Sequence, residues 1–512
     1  MRKILMFFIL LGIIVGILKG LKIPNSITEK EQINVGTEVE ERIAELSLPI
    51  SDIDTLNPIK TKKIHVSNLL KLVYDPLFSY DEENQLMPVL AEQWMKRDEL
   101  TWIIRIKENV LWHNGKYFSS YDVKYTIDSL MQDEFDSIYK ANVKNISSVD
   151  IMDNKTFSIT LIEPDSYFVS NLTFPIISAN YIYDNTNMMG TGAYRYSNAS
   201  DSVITLVFNE DWWKKEIVKL KTIYLKKYDT YNEAIKAFKS SEIDMIITNM
   251  YDWKEKFGFI GINAYQYENT EYELLIPNCE SKIFGDSSVR KAILHGINRA
   301  NIVSDIYDEN AEISDIPIMS NSKYAETSTE YNPEMAKQIL INGGWSFNGD
   351  SWEKDRTKLK ITLQVCEEDL EKILVAEKIK GDLSEIGIDV TIKKVTWENL
   401  KNSLETNKFE LILSTLDIKN EYQIQKLTKI DSEYNYANFI NVQIDEKITE
   451  LENSDEEVYE NKMEEFKELY VNELPYIGLY FKLNSVLTNK SVKGEYKSTV
   501  YEPFRNLINF YK

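Results

Sequence analysis

Apolar residues in this chain recur at two periods, and the succession of those periods sets out its elements. Over residues 102–107, Trp102, Ile104 and Ile106 alternate with Ile103, Arg105 and Lys107, the period of two expected of a strand. Asn114-Gly115 follows as a tight turn, since both residues tolerate positive φ and glycine carries no Cβ. Ser119 with Asp122 three residues on resembles a capping box, opening a helix whose apolar positions include Val123, Ile127 and Leu130. Upstream, "LSLPISDIDTLNPIK" reads as a strand that begins near Ser47 and runs into a turn at Asn57-Pro58. "NKTFSITLIEP" and "SVITLVFNEDWW" read as strands, with "GTGAYRY" as a turn between them. No Lys-Ser/Thr pair follows Gly190 and Gly192 and no helix opens there, so a plain turn is favoured over a phosphate loop.

The last 240 or so residues change character. In "YNPEMAKQILINGGW", Asn332 can cap a helix and Pro333 suits its first turn. Ala336, Ile339 and Leu340 form its stripe, and Gly343-Gly344 end it. There follow a strand ("LKITLQVC"), a helix over 370–386, a strand ("IDVTIKKV"), a short helix over 397–404 and a strand ("FELILST"). Strand alternating with helix in this way predicts a sheet with parallel crossovers. Ligands of such sheets collect beyond the carboxyl ends of strands, which makes Thr415, Leu416, Asp417 and Lys419 a candidate site. A long helix with Val458, Met463, Phe466 and Tyr470 on one face then leads to a closing strand, "LPYIGLYFKL".

The N-terminus has its own pattern. Arg2-Lys3 precede an unbroken apolar run over 4–18, and Lys19 and Lys22 follow. This is an export signal. As a helix the run spans roughly 22 Å, which reaches across a ~30 Å hydrocarbon core only if the flanking lysines snorkel. "GILKGLKIPNSIT" offers neither a convincing small-x-small cleavage site nor a lipid-accepting cysteine. An uncleaved anchor facing outward is therefore the first expectation, with secretion after cleavage as the alternative. Residues 23–46 are polar and acidic and read as a linker.

Composition narrows the function. The chain has 512 residues, 43% hydrophobic and 27% charged, with a net charge of −22, which fits several domains with large cores and disfavours nucleic acid and anionic lipid as partners. Cys279 and Cys366 match neither a metal spacing nor a disulfide framework. The histidines, His65, His113 and His295, are solitary, and structural roles are expected for them. No nucleophile elbow, metal-binding histidine pair or phosphate loop is present. The sequence asks for no catalysis, cofactor or metal.

The stretch from Val73 to Val123 closely resembles the hallmark block of the extracytoplasmic solute-binding proteins of peptide and nickel ABC transporters. The counterparts of that block are residues 74–77, 88–94, 102–106, 112–115 and 121–123. The likeness continues in order through "LNP" at 56–58, "GTGAY" at 190–194, "SSEIDM" at 240–245, "VRKAILHGINRANIV" at 289–303, "YNPEMAKQIL" at 331–340 and "LPYIGLYF" at 474–481.

The resemblance implies an α/β, two-lobed periplasmic-binding-protein-like fold of type II, in its large peptide-binding class, with an accessory domain. It implies a discontinuous first lobe (47–65, 187–268 and 481–512), an accessory domain (66–186) and a second lobe (269–480). It also implies a monomer that captures a peptide-like ligand and hands it to ABC permease subunits. A surface receptor of the same fold without a transport role is the alternative. In peptide binders of this family "GW" follows the strand matching "FELIL", with an acid three positions beyond the Trp that pairs with the peptide amine. Here Thr415-Leu416 and Lys419 take those places, with Trp397 as a wall of the site; either Asp417 substitutes as the acid, or Lys419 points inward and the site prefers an acidic or amine-blocked ligand.

Overall fold

The computed structural model describes residues 44–132, 136–181, 187–258, 260–326, 328–452, 454 and 456–512. The apolar run over 4–18 and most of the expected linker lie outside the described residues. The first strand, Ala44–Ser51, starts three residues earlier than the sequence suggests, because Leu46, Leu48 and Ile50 extend one inward face already begun by Ala44. Among the described residues no helix is long and apolar enough to cross a membrane.

Three sheets carry the fold. Ala44–Ser51 pairs in parallel with Leu220–Tyr228, and Val203–Phe208 and Tyr194–Ala199 extend that sheet antiparallel. A second antiparallel sheet, ordered Ala91–Lys96, Thr101–Ile106, Thr156–Leu161, Ile146–Ile151, packs beneath the helix Ser120–Met131. The backbone N–H of Ser119 donates to Asp122 Oδ2 at 2.9 Å, so the capping box forms. Val123, Ile127 and Leu130 are fully buried in the core of this sheet.

The third sheet has seven strands and runs Met245–Thr248, Ile477–Asn489, Ile262–Pro277, Leu411–Asp417, Lys360–Cys366, Asp389–Val395, with Ala311–Ile313 attached to Ile477–Asn489. Lys360–Cys366 pairs in parallel with both Asp389–Val395 and Leu411–Asp417, the crossover arrangement read from the sequence. Two long strands, Ile262–Pro277 and Ile477–Asn489, are neighbours along their whole length, with a register break between Glu268 and Tyr272. Beyond the break Leu275, Ile477 and Leu479 belong to the core under the crossover helices. Before it, Val486 belongs to a core with Leu46, Leu48 and Leu206. The same two strands therefore serve both lobes of the fold.

Two local features give the reason for residues that the sequence pattern read as turn and scaffold. Gly190 and Gly192 lie against the backbone of Val73: a Cβ at Gly190 would stand 1.8 Å from the Val73 carbonyl oxygen, and the Gly192 N–H donates to that oxygen at 2.9 Å. His113 completes the arrangement, accepting from the Gly190 N–H through Nδ1 at 3.3 Å and facing the Gly192 carbonyl with Nε2 at 3.1 Å. Burial pushes its imidazole down to about 4, so it is a neutral structural bridge.

In the helix Glu456–Glu473, Met463, Phe466 and Tyr470 are buried, but Val458 is 45% exposed and Tyr459 takes the core position instead. The spacing 459, 463, 466, 470 fits the helical repeat, and a start at 458 does not.

Candidate functional site

Where the two strand-sharing lobes meet there is a cavity of about 1760 Å³. Thr415, Asp417 and Lys419 line it, whereas Leu416 and Trp397 do not. Strand alternation accounts for Leu416: residues 415 and 417 share one face, and the Leu416 side chain packs on the opposite core with Tyr272 and Ile412. Trp397 opens the helix Trp397–Glu405 and is 59% exposed; its backbone N–H donates to Glu368 Oε2 at 3.1 Å. Asp417 and Lys419 form an ion pair with each other at 3.7 Å, both side chains about half exposed.

The strand Leu411–Asp417 presents one bare edge. It pairs with Ile262–Pro277 over its full length but with Lys360–Cys366 only at Leu411 and Ile412. Its last residues have no ladder partner on that side among the described residues.

Behind Thr415 lies a charged array that no sequence motif announced. Thr415 Oγ1 donates to Glu273 Oε1 at 2.6 Å, directly across the ladder. Glu273, with 1% of its side chain exposed, also holds Lys372 at 3.2 Å and Lys482 at 3.4 Å. Lys372 pairs further with Asp369 at 2.9 Å, and Lys482 with Glu371 at 3.2 Å and Glu271 at 3.6 Å. Burial alone would lower both ammoniums, yet Glu273 with its fellow carboxylates raises them above the ordinary lysine value. Lys372, Lys482, Asp369 and Glu271 line the cavity, so this wall presents ammoniums and carboxylates in equal number. Glu273 was invisible in sequence because its partners come from a helix and a strand far along the chain.

Lys71, Asp75, Lys214, Glu502 and Arg505 line the opposite side of the cavity, together with the carboxylates Asp52, Glu82, Glu216 and Asp229. Asp75 accepts from Thr191 Oγ1 and Trp213 Nε1, both at 2.9 Å, and burial raises its carboxyl above the usual range. Arg505 pairs with Glu502 at 3.3 Å. Lys71 donates to Asn68 Oδ1 at 3.1 Å, and burial lowers its ammonium to about 8. None of these residues was singled out from the sequence, since each sits in an element whose pattern reads as scaffold.

Two α/β lobes that share two strands and enclose a ligand-sized cavity define a binding protein of the periplasmic type II class. Residues 85–456 match the bacterial extracellular solute-binding proteins, family 5 Middle, and the chain belongs to that family. The oligopeptide-binding protein AppA of Bacillus subtilis (strain 168) is 24% identical over 477 residues, 87% of this chain and 87% of AppA. The structure of B. subtilis AppA in complex with a nonapeptide superposes with a TM-score of 0.60 at 21% identity, covering 91% of this chain and 98% of that one. A nickel ABC transporter structure from Bacillus halodurans reaches a TM-score of 0.78 at 21% identity, covering 90% and 98%.

Proposed function

We propose that this protein captures a peptide-like ligand in its cavity and delivers it to the permease of an ABC transporter, without catalysis. The observation that carries the reading is the bare edge at the end of Leu411–Asp417, beside the cavity. An extended peptide is held chiefly through its backbone, and a strand edge with no partner supplies the matching donors and acceptors. Thr415, Asp417 and Lys419 then face the ligand. Asp417, already paired with Lys419, exchanges that partner for the peptide amine. Similarity to AppA, an oligopeptide-binding protein, supports the peptide class.

The first lobe comprises 47–65, 187–268 and 481–512, the accessory domain 66–186 and the second lobe 269–480, with the register break between Glu268 and Tyr272 as the hinge. The protein works as a monomer, held to the outer face of the membrane by its N-terminal segment.

Mass spectrometry of what copurifies tests the ligand class, and recovery of no peptide contradicts it. Affinity for one retained peptide, with free and acetylated amino terminus, tests the site. Acetylation and Asp417→Asn should each weaken binding, and Lys419→Ala should not.

A further inference from the structure

One buried carboxyl lies where three parts of the chain meet. Glu421 follows Asp417 and Lys419 in the second lobe, and its Oε2 atom is buried with no hydrogen-bond partner among the described residues. From the accessory domain it is faced by Tyr80, at the end of the strand Phe78–Tyr80, and from the first lobe by Tyr501, in the C-terminal segment. The two rings are 4.3 Å apart and both hydroxyls are buried; that of Tyr501 lacks a partner too. On its own side Glu421 has the phenols Tyr422, Tyr324 and Tyr459. Among the described residues one cation acts on it, Lys323 of the same lobe, which is already paired with Glu460. Lys419 is held by Asp417, and Arg505 of the first lobe, which donates to the Tyr80 carbonyl, is held by Glu502. The accessory domain and the first lobe therefore bring Glu421 phenols but no counterion. The boundary is shut in this structure: Tyr422 stacks on Tyr167, and Lys144 pairs with Glu433 at 2.9 Å.

We propose that Glu421 is a proton-operated latch between the lobes: the closed form that holds ligand binds a proton on this carboxyl, and opening releases it. The proposal rests on the two-lobed, peptide-capturing reading above and adds to it a dependence of capture on pH. In the charged form the carboxylate exchanges water for phenols on closing and gains no counterion, which burial penalises. In the neutral form it closes at little cost, and its O–H offers a donor to the phenol oxygens across the boundary. The proton comes from water and returns to it. Burial raises the carboxyl to about 7 in this structure, from the 4.5 of a carboxyl open to water. Because the closed value is the higher, closure is fully favoured below pH 4.5, weakens by up to about tenfold for each unit that pH rises, and has lost this advantage above about 7.

The test titrates the purified full chain, as wild type and as Glu421→Gln, with a synthetic pool of short peptides with free termini, from about pH 4.5 to about pH 7.5. Glutamine keeps the shape of the side chain and cannot ionise, so the pH effects of other groups cancel in the ratio of the two affinities. Near pH 4.5 the two proteins should bind alike, and near pH 7.5 Glu421→Gln should bind about tenfold or more tightly than wild type. Small-angle scattering of the ligand-free proteins gives a readout that needs no peptide: the wild-type radius should grow over that range and the radius of the variant should not. A ratio that stays at one while peptide is bound overturns the latch and leaves the peptide reading standing. Retention of no peptide at any pH overturns the peptide reading instead, and the ligand-free radii then decide the latch. A change with pH confined to wild type upholds it, and equal radii throughout overturn it.

Discussion

Tyr167 lies flat on Tyr422, ring centroids 3.8 Å apart and planes 12° from parallel. Tyr167 belongs to the segment after the accessory sheet, and Tyr422 to the loop after Leu411–Asp417, so the stack joins parts of the chain on either side of the ligand cavity. Tyr167 Oη also donates to the Leu451 carbonyl at 3.2 Å. Aromatic pairs of this kind contribute about 0.5–1.5 kcal/mol beyond the area they bury. Tyr167→Ala should therefore lower affinity for a retained peptide by roughly three- to tenfold and enlarge the ligand-bound radius in small-angle scattering. An unchanged affinity and radius would show that the stack does not hold the lobes together.

The buried array predicts an asymmetry between removing its centre and removing its rim. Glu273→Ala leaves Lys372 and Lys482 without the carboxylate they share. Loss of one partner from a buried ion pair costs about 3–5 kcal/mol, and urea unfolding should report a loss of that order. Removing the partly exposed Glu271, 3.6 Å from Lys482, should cost under about 1 kcal/mol.

Glu421 predicts a pH dependence. It is 7% exposed, and burial raises its carboxyl to about 7 from the ordinary 4.5. Since the folded value exceeds the unfolded one, the stability tied to this group is complete below pH 4.5 and is lost as pH rises through 7. Glu421→Gln should be more stable than wild type by roughly 3 kcal/mol at pH 8.5, the difference vanishing near pH 4.5. Urea midpoints across that range check the sign.

Two glycines should respond to alanine in different degree. Gly190→Ala drives a Cβ to 1.8 Å from a backbone oxygen, a clash that no side-chain adjustment relieves, and the variant should fail to yield folded protein. Gly115 has φ +79° with nothing within 4 Å of its Cβ position, so Gly115→Ala meets only the backbone penalty and should cost about 1 kcal/mol. Circular dichroism and thermal melting separate the two.

Periodic elements were legible in the sequence because each announces itself locally. The helix Pro333–Asn342 begins where Asn332 caps it, with the Met335 N–H donating to Asn332 Oδ1 at 2.9 Å, and the parallel crossovers follow from strand alternating with helix. The site was legible only where it coincides with such an element: Thr415, Asp417 and Lys419 line the cavity because they end a recognisable strand. Leu416 was included because a strand end marks a place but not a face. Trp397 was placed by family likeness, and the cap at Thr396, which accepts from the Asn399 N–H at 3.3 Å, starts its helix away from the cavity. The Glu273 array was missed because its significance lies in which charges surround it, and that is set by chain segments that no local pattern connects.

The core that encloses Ala44, Leu46 and Leu48 also contains Val486, Val492 and Phe510, and the strand Ile477–Asn489 runs within the seven-stranded sheet from that core to the one under the crossover helices. During synthesis the strand Ala44–Ser51 emerges hundreds of residues before Val486, Val492 and Phe510, which complete its core. Contacts so distant along the chain are slow to form, and the unsatisfied apolar strands are exposed to aggregation meanwhile. In a member of an extracellular family, this delay keeps that core open while the rest of the chain is being made.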